Sequence, residues 1–356
     1  LLEPKVINEE LGPFDATFYV PAFFEGGRTT VNGVHLVNGT PVHKTIFAKD
    51  QIFGFSTSHL PSWIEEKSNY KIKSEDVSLI NIDQLREASI DESGMQTLIN
   101  FLLKLSSNQP VVVDAESSID LNTFIAAIKL LVERKRFLFR SAASLINSIS
   151  NIYPENNNIK DFSRLRLRDQ NGLFKPGIVV VGSHIQLADE QLELLLENIT
   201  CVGVQLPVDK IARIFDCAPK DSLLLDLENL WGQHLLDIIN SNKTPVLFTS
   251  RGELSFVSSK KRMQFGVFLA ELMGRLVNRV SNKLGYIISK GGITTHILIS
   301  EGLLLKSVEV KGQVLPGVSV VCASEKNKDK LPIITFPGNL GDKETLLKLF
   351  EIMQSA

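Results

Sequence analysis

The residues able to do chemistry in this chain gather in five short segments. The first is Gly26-Gly27-Arg28-Thr29-Thr30. A Gly-Gly turn presenting a guanidinium fork beside two hydroxyls suits a polyhydroxy acid, with Arg28 gripping the carboxylate and Gly27 and Thr29 beside it. Taken alone, the same pattern is more often a hairpin turn with an exposed arginine. The other four segments follow apolar, strand-length runs. They are Val180-Val181-Gly182-Ser183, Thr249-Ser250-Arg251-Gly252-Glu253, Ser289-Lys290-Gly291-Gly292-Ile293-Thr294-Thr295 and Phe336-Pro337-Gly338-Asn339-Leu340-Gly341-Asp342. Glycine lets the backbone approach a ligand, Ser183 offers a hydroxyl, and Arg251 offers a fork suited to phosphate or carboxylate. Gly291 and Gly292 leave N–H groups bare where a helix starts, a generic anion site. Each is also ordinary turn chemistry: a lone Gly-Gly favours a plain turn by about two to one on general turn preferences, and Arg251 can simply pair with Glu253. Position shifts the balance, because ligands of open α/β sheets sit beyond the carboxyl ends of the strands. All four segments read as such ends of one sheet. Together they argue for an anionic ligand.

What is missing narrows the field. There is no GxxxxGK[ST], no GxGxxG after a strand, no HRD or DFG and no HExxH. Walker-type NTPases, dinucleotide enzymes, protein kinases and zinc proteases of the common kinds are therefore disfavoured. Cys201, Cys217 and Cys322 have no CxxC spacing, which argues against a disulfide framework or a zinc site and fits a reducing cytoplasm. The six histidines are dispersed, and His35, His43 and His59 read as surface or structural residues. Lys and Arg total 38 against 40 Asp and Glu, so no basic excess points to nucleic acid and an anion must be held by local groups. The longest apolar runs, such as Gly177–Gly182 and Pro245–Thr249, are far short of a membrane span.

The elements that position these segments alternate between periods. In the first half, Ala16–Val20, Pro110–Asp114 and Arg136–Phe139 read as strands, and Ser93–Leu105, Leu121–Arg134 and Ser141–Ile149 as helices. Val34–Val37 and Thr40–His43 flank Asn38-Gly39, a strong hairpin signal. In the second half the strands are Ile178–Val181, Cys201–Gln205, Val246–Thr249, Tyr286–Ile288, Ser307–Val310, Val318–Cys322 and Ile333–Phe336. The helices are Asp189–Asn198, Leu227–Ile239, Lys261–Lys283, Thr294–Glu301 and Lys343–Met353. Between Tyr153 and Pro176 periodicity lapses. The expected architecture is α/β with two domains, each a mostly parallel or mixed sheet flanked by helices. The expected boundaries are 1–152, a linker 153–176, and 177–356.

With these segments in order, the sequence resembles the four-carbon acid-sugar kinase family, the kinases of D-threonate, L-threonate and D-erythronate. The matching stretches are Pro21–His35, Phe137–Ser144, Val179–Ser183, Lys290–Thr294, Gly312–Val318 and Phe336–Asp342. The resemblance implies an N-terminal acid-sugar-binding domain and a C-terminal nucleotide-binding domain with a cleft between them, and ATP and Mg2+ as cofactors. By position it implies ATP contacts from Ser183, Gly291, Gly292, Ile293, Thr294 and Gly338, with Arg28, Gly27 and Thr29 near the sugar acid. The family's Asp-Asp-x-Thr-Gly and Asp-Ser-Thr-x-Arg-Gly motifs do not occur in this sequence, and the resemblance expects them before Leu1. No catalytic base is nameable, and Ile293 stands where many members carry an acidic residue.

The expected function is phosphorylation of a sugar-acid hydroxyl by ATP, a reaction that depends mainly on positioning and charge neutralisation. The rival expectation is a nucleotide-binding or regulatory protein of the same fold without kinase activity. The partners expected are small molecules, with no nucleic acid and no membrane; a homodimer is left open.

Overall fold

The computed structural model describes residues 2–355 apart from 46, 47, 49–53, 152–158, 184, 217–220, 251–255, 257 and 325–329. The chain divides into two compact units, Leu1–Asn156 and Asn157–Ala356. Each is a helix-flanked sheet of its own, so the chain is a two-unit α/β protein.

In the first unit, β1 (Ala16–Val20) is buried at every position, as a strand covered on both faces must be. Helix α1 (Leu2–Leu11) precedes it, and β2 (Arg28–Val31), β3 (Val34–Val37) and β4 (Thr40–Pro41) follow. Then come α2 (Leu60–Lys67), β5 (Ser78–Ile80), α3 (Ile82–Ile90), α4 (Glu92–Lys104), β6 (Gln109–Val113), α5 (Ser118–Lys129), β7 (Phe137–Ser141) and α6 (Ala143–Ser150). The parallel sheet runs β5-β6-β1-β7. Phe18 is its packing centre, 5.0 Å from the Phe124 ring and 5.5 Å from Phe139.

The small antiparallel sheet β2-β3-β4 turns at Asn32-Gly33 and Asn38-Gly39, where φ is 50° and 72°, then 48° and 76°. These left-handed pairs are what two-residue hairpins need. Of the hairpin strand expected over Thr40–His43, only Thr40–Pro41 pairs, because Val42–Lys44 coils into a 3-10 turn. Asp114, fully buried just after β6, accepts from Asn32 N at 2.7 Å and Gly33 N at 2.9 Å. Thr30 and Ala115 exchange two backbone bonds of 2.9 Å. The hairpin is thereby fixed to the carboxyl end of β6.

The second unit holds β8 (Ile178–Val181), α7 (Gln186–Leu196), β9 (Cys201–Leu206), α8 (Val208–Asp216), α9 (Asp221–Asn240), β10 (Thr244–Thr249) and α10 (Ser259–Val280). It continues with β11 (Ile287–Lys290), α11 (Gly292–Ile297), a π turn over Leu298–Gly302, β12 (Val308–Leu315), β13 (Val318–Ala323), β14 (Ile333–Phe336) and α12 (Thr345–Gln354). The sheet order is β12-β13-β14-β11-β8-β10-β9, with β14 to β9 parallel and β12 and β13 antiparallel. Helices α9 and α10 cover one face of the sheet, and α7 and α12 the other. Between α9 and α10 the buried Glu228 accepts from Arg275 Nη2 at 2.6 Å.

From Ile159 onward, the stretch 153–176 packs on this second unit. Phe162 joins the core beside α12, and Leu167 N donates to Gly285 O at 3.0 Å. Among the described residues no helix is long and apolar enough to cross a membrane.

Candidate functional site

Strands β14, β11, β8 and β10 are consecutive parallel neighbours. The four glycine- and serine-bearing segments of the second half therefore leave the carboxyl ends of four adjacent strands. The chain runs from β8 to β9 and back to β10 on one side, then crosses to β11 on the other. That reversal flanks β8 and is where open sheets form ligand crevices.

Three of the four segments meet there. A Cβ on Gly182 would fall on the Thr294 hydroxyl, so only glycine lets the α11 start close over the end of β8. A Cβ on Gly338 would lie 2.8 Å from Ser183 Oγ and 3.9 Å from Gly291 Cα. Gly291 has φ 117° and ψ 131°, a conformation reserved for glycine. Its N–H donates to Phe336 O at 2.9 Å, and Gly182 N donates to Lys290 O at 3.1 Å. Gly292 has no neighbour within 4 Å of where a side chain would start, and Ile293 is exposed. Thr294 and Thr295 are buried, and Thr295 Oγ1 lies 2.9 Å from Ser289 Oγ. The result is a backbone-lined, sterically constrained junction with an open mouth at Gly292-Ile293. Gln191, fully buried on α7, steadies one wall by donating to Leu340 O at 3.2 Å and Asp342 O at 2.6 Å.

In the fourth segment Ser250 is committed to structure, its Oγ accepting from Val208 N at 2.9 Å. Arg251, Gly252 and Glu253 lie outside the described residues. Sequence reasoning passed over Lys290 as a site residue, although it adjoins the glycines. It is fully buried, and burial pulls its pKa down to about 7.

In the first unit, Gly27 caps a 3-10 turn in the left-handed region and leads into β2, with Arg28 opposite Val37 and Thr29 opposite Leu36. Arg28 is half-buried, and burial lowers its pKa. His35, hydrogen-bonded through Nδ1 to Thr30 Oγ1 at 3.1 Å, is pushed down to about 4, first by burial and then by the Arg28 charge. It stays neutral, in keeping with a structural role.

A pocket of about 270 Å³ lies nearby, at the carboxyl edge of β1 and β7, lined by Glu25, Ser118, Asn122, Ser144, Asn147 and Ser148 with Phe24. Its hydroxyls and amides suit a polyhydroxy ligand. Ser144 Oγ donates to Glu25 Oε2 at 3.2 Å and accepts from Phe24 N at 3.1 Å. Arg28, Gly27 and Thr29 are not part of its lining.

A larger groove, of about 940 Å³, sits at the opposite end of the second sheet, near the starts of β9 and β10, with Arg166, Arg168, Lys175 and Lys283 in its lining. Three of these cations already bind carbonyls: Arg166 that of Lys175, Arg168 that of Gly172 and Lys175 that of Asn282. Size alone does not make it the site; the constrained glycines lie at the other edge.

Sheet order, switch point and glycine junction define an open α/β protein with a glycine-lined junction at the carboxyl edge of its second sheet. A family model described as a sugar-binding N-terminal domain matches residues 2–149, and one described as a nucleotide-binding C-terminal domain matches residues 178–346. The chain belongs to the four-carbon acid-sugar kinase family. The D-threonate kinase of Salmonella typhimurium LT2 is 24% identical over 327 residues, 90% of this chain and 70% of that protein. A Salmonella typhimurium LT2 structure described as a tRNA synthase superposes with a TM-score of 0.63 at 15% identity, over 97% of this chain and 75% of that one. A Haemophilus influenzae protein gives 0.55 at 18% identity, over 98% and 76%. These two structures speak for the fold.

Proposed function

We propose that the chain is an ATP-dependent kinase acting on a hydroxyl of a four-carbon sugar acid of the threonate or erythronate type, working in the cytoplasm. The second unit would be its nucleotide-binding domain and the first its acid-sugar-binding domain. The observation that carries the reading is the meeting of Ser183, Gly291 and Gly338 at the switch point of a chain in this family. In this reading Gly291, Gly292, Ile293 and Thr294 present backbone N–H groups to the phosphate chain, and Ser183 and Gly338 shape the wall beside it. Backbone donors suit the task, because phosphoryl transfer depends on positioning and charge neutralisation more than on covalent chemistry from the protein.

Among the described residues no three His, Cys, Asp or Glu side chains gather into a metal site. Mg2+ would enter with the nucleotide, as the MgATP complex. In the first unit Arg28, with Gly27 and Thr29 beside it, would take the carboxylate through its guanidinium fork. The pocket of Ser118, Asn122, Ser144 and Asn147 supplies hydroxyl and amide partners for a polyol.

The experiment is a coupled ADP-release assay on the complete protein with the D and L isomers of threonate and erythronate. Turnover with at least one of them is expected. ATP binding without turnover on any short sugar acid would favour a regulatory nucleotide-binding protein instead.

A further inference from the structure

Lys290 is the last residue of β11, and among the described buried residues it is the only lysine or arginine. Strand alternation separates it from Ser289, whose hydroxyl meets Thr295. The Lys290 Nζ instead lies 3.8 Å from the centre of the Phe336 ring and 3.3 Å from the Pro337 carbonyl oxygen. An ammonium carries three donors, so one long carbonyl contact and a ring face leave donor capacity unused where no water reaches. An uncompensated buried charge is costly and persists where it has a task or a counter-ion to meet.

The residue is tied to all three converging loops. Its carbonyl accepts from Gly182, its peptide continues into Gly291, and its Nζ touches the residue before Gly338. The elements around it carry Asp189 and Glu190 on α7, His296 on α11, Asp342 after β14, and Glu344 and Lys348 at the start of α12. None of them contributes to its lowered pKa, which burial alone causes. Among the described residues, the buried amine at the candidate anion site has no carboxylate paired with it.

We propose that Lys290 is the buried counter-charge of this site, a positioning residue whose ammonium braces the loop before Gly338 and offsets the negative charge of a bound phosphate chain from beneath. The proposal rests on the reading of the second unit as nucleotide-binding, and it adds a proton to the binding reaction. With the site empty, the amine is about half protonated at pH 7 and largely neutral at pH 8. An arriving polyphosphate favours the ammonium, and one proton passes from solvent to Nζ.

The test is calorimetric titration of the complete protein with ADP and with inorganic tripolyphosphate at pH 8, where ADP is fully ionised. Tripolyphosphate keeps part of its last proton there, so the proton count is read from ADP and tripolyphosphate reports affinity. Each titration is run in two buffers of different ionisation enthalpy, for wild type, K290M and K290R. Wild type should take up close to one proton per ADP. K290M should take up none and bind at least about tenfold more weakly, on the scale set by losing one charged partner, without a lower melting temperature. K290R, always charged, should recover affinity over K290M while taking up no proton. Equal affinity and equal proton counts for wild type and K290M would overturn the proposal and leave the nucleotide reading standing. Failure of wild type to bind either ligand would overturn both.

Discussion

Replacing Lys290 by methionine should stabilise the second unit most at acid pH and progressively less as the pH rises. Burial moves the lysine pKa from 10.5 to about 7. At about 1.4 kcal/mol per pH unit, keeping the ammonium buried at pH 6 costs roughly 5 kcal/mol relative to the unfolded chain. The Phe336 ring face, 3.8 Å from Nζ, favours the ammonium, so this cost is an upper bound. Between about 7 and 10.5 the unfolded chain holds a proton that the folded chain has released, so wild-type stability rises with pH through this window. The penalty is complete below about 7 and gone above 10.5. Methionine fills a similar length with no charge, so the K290M advantage should shrink by about 2–3 kcal/mol between pH 6 and pH 9. Trp63 lies in the first unit and Trp231 in the core of the second, so urea unfolding followed by fluorescence in a Trp63→Phe background isolates the relevant transition. A K290M–wild-type gap that is the same at pH 6 and pH 9, or a K290M protein less stable than wild type at pH 6, would refute the reasoning.

Gly182→Ala places a methyl on the Thr294 hydroxyl; it should cost about 1–3 kcal/mol and weaken ATP binding, read by melting temperature and titration. Gly338→Ala comes closest to the Ser183 side chain, with the Gly291 backbone at ordinary contact distance, so it should lower nucleotide affinity while stability changes by less than about 1 kcal/mol. Asp114→Ala leaves the Asn32 and Gly33 amides without their acceptor; a loss of about 2–4 kcal/mol is expected, with faster hydrogen exchange at those two amides. Arg28→Met should raise KM for the sugar acid at least about tenfold and leave KM for ATP unchanged in the coupled assay.

Much of this architecture is legible in the sequence because fully buried parallel strands leave apolar runs. Ala16–Val20 and Ile178–Val181 are visible for that reason, and so is the hairpin at Asn38-Gly39, whose turn chemistry is local. The second hairpin turn, Asn32-Gly33, carries the same signal and lies just after the Gly26–Thr30 segment read for chemistry. Helices α1, α2, α3 and α8 and strands β2 and β5 went unread. Strand β5 has three residues, too few for a period, and α8 follows β9 after a single proline. Helix α3 does carry a start signal, the reciprocal cap between Asn81 and Gln84 at 2.9 and 3.0 Å. The helix expected over Leu121–Arg134 instead covers Ser118–Lys129, because Asp120 accepts from the Ser117 and Glu116 amides and starts it earlier.

The glycine junction was legible residue by residue, since each glycine follows a strand. That Gly182, Gly291 and Gly338 meet depends on β8, β11 and β14 being neighbours, a fact of topology that no local pattern carries. The burial of Lys290 is of the same kind: it depends on the neighbouring strands and on Phe336 beside its amine, not on the residues adjoining it in sequence. Arg28 was singled out for its chemistry, yet the pocket in its unit is lined by Ser144 and Asn147, on the helix after β7 and remote in sequence.

The most direct test of the central claim is a crystal structure of the protein soaked with ADP. The phosphates should lie against Ser183, Gly291–Thr294 and Gly338, with Lys290 beneath the loop. Nucleotide settled instead in the groove of Arg166, Arg168 and Lys175, at the other end of the sheet, would contradict it.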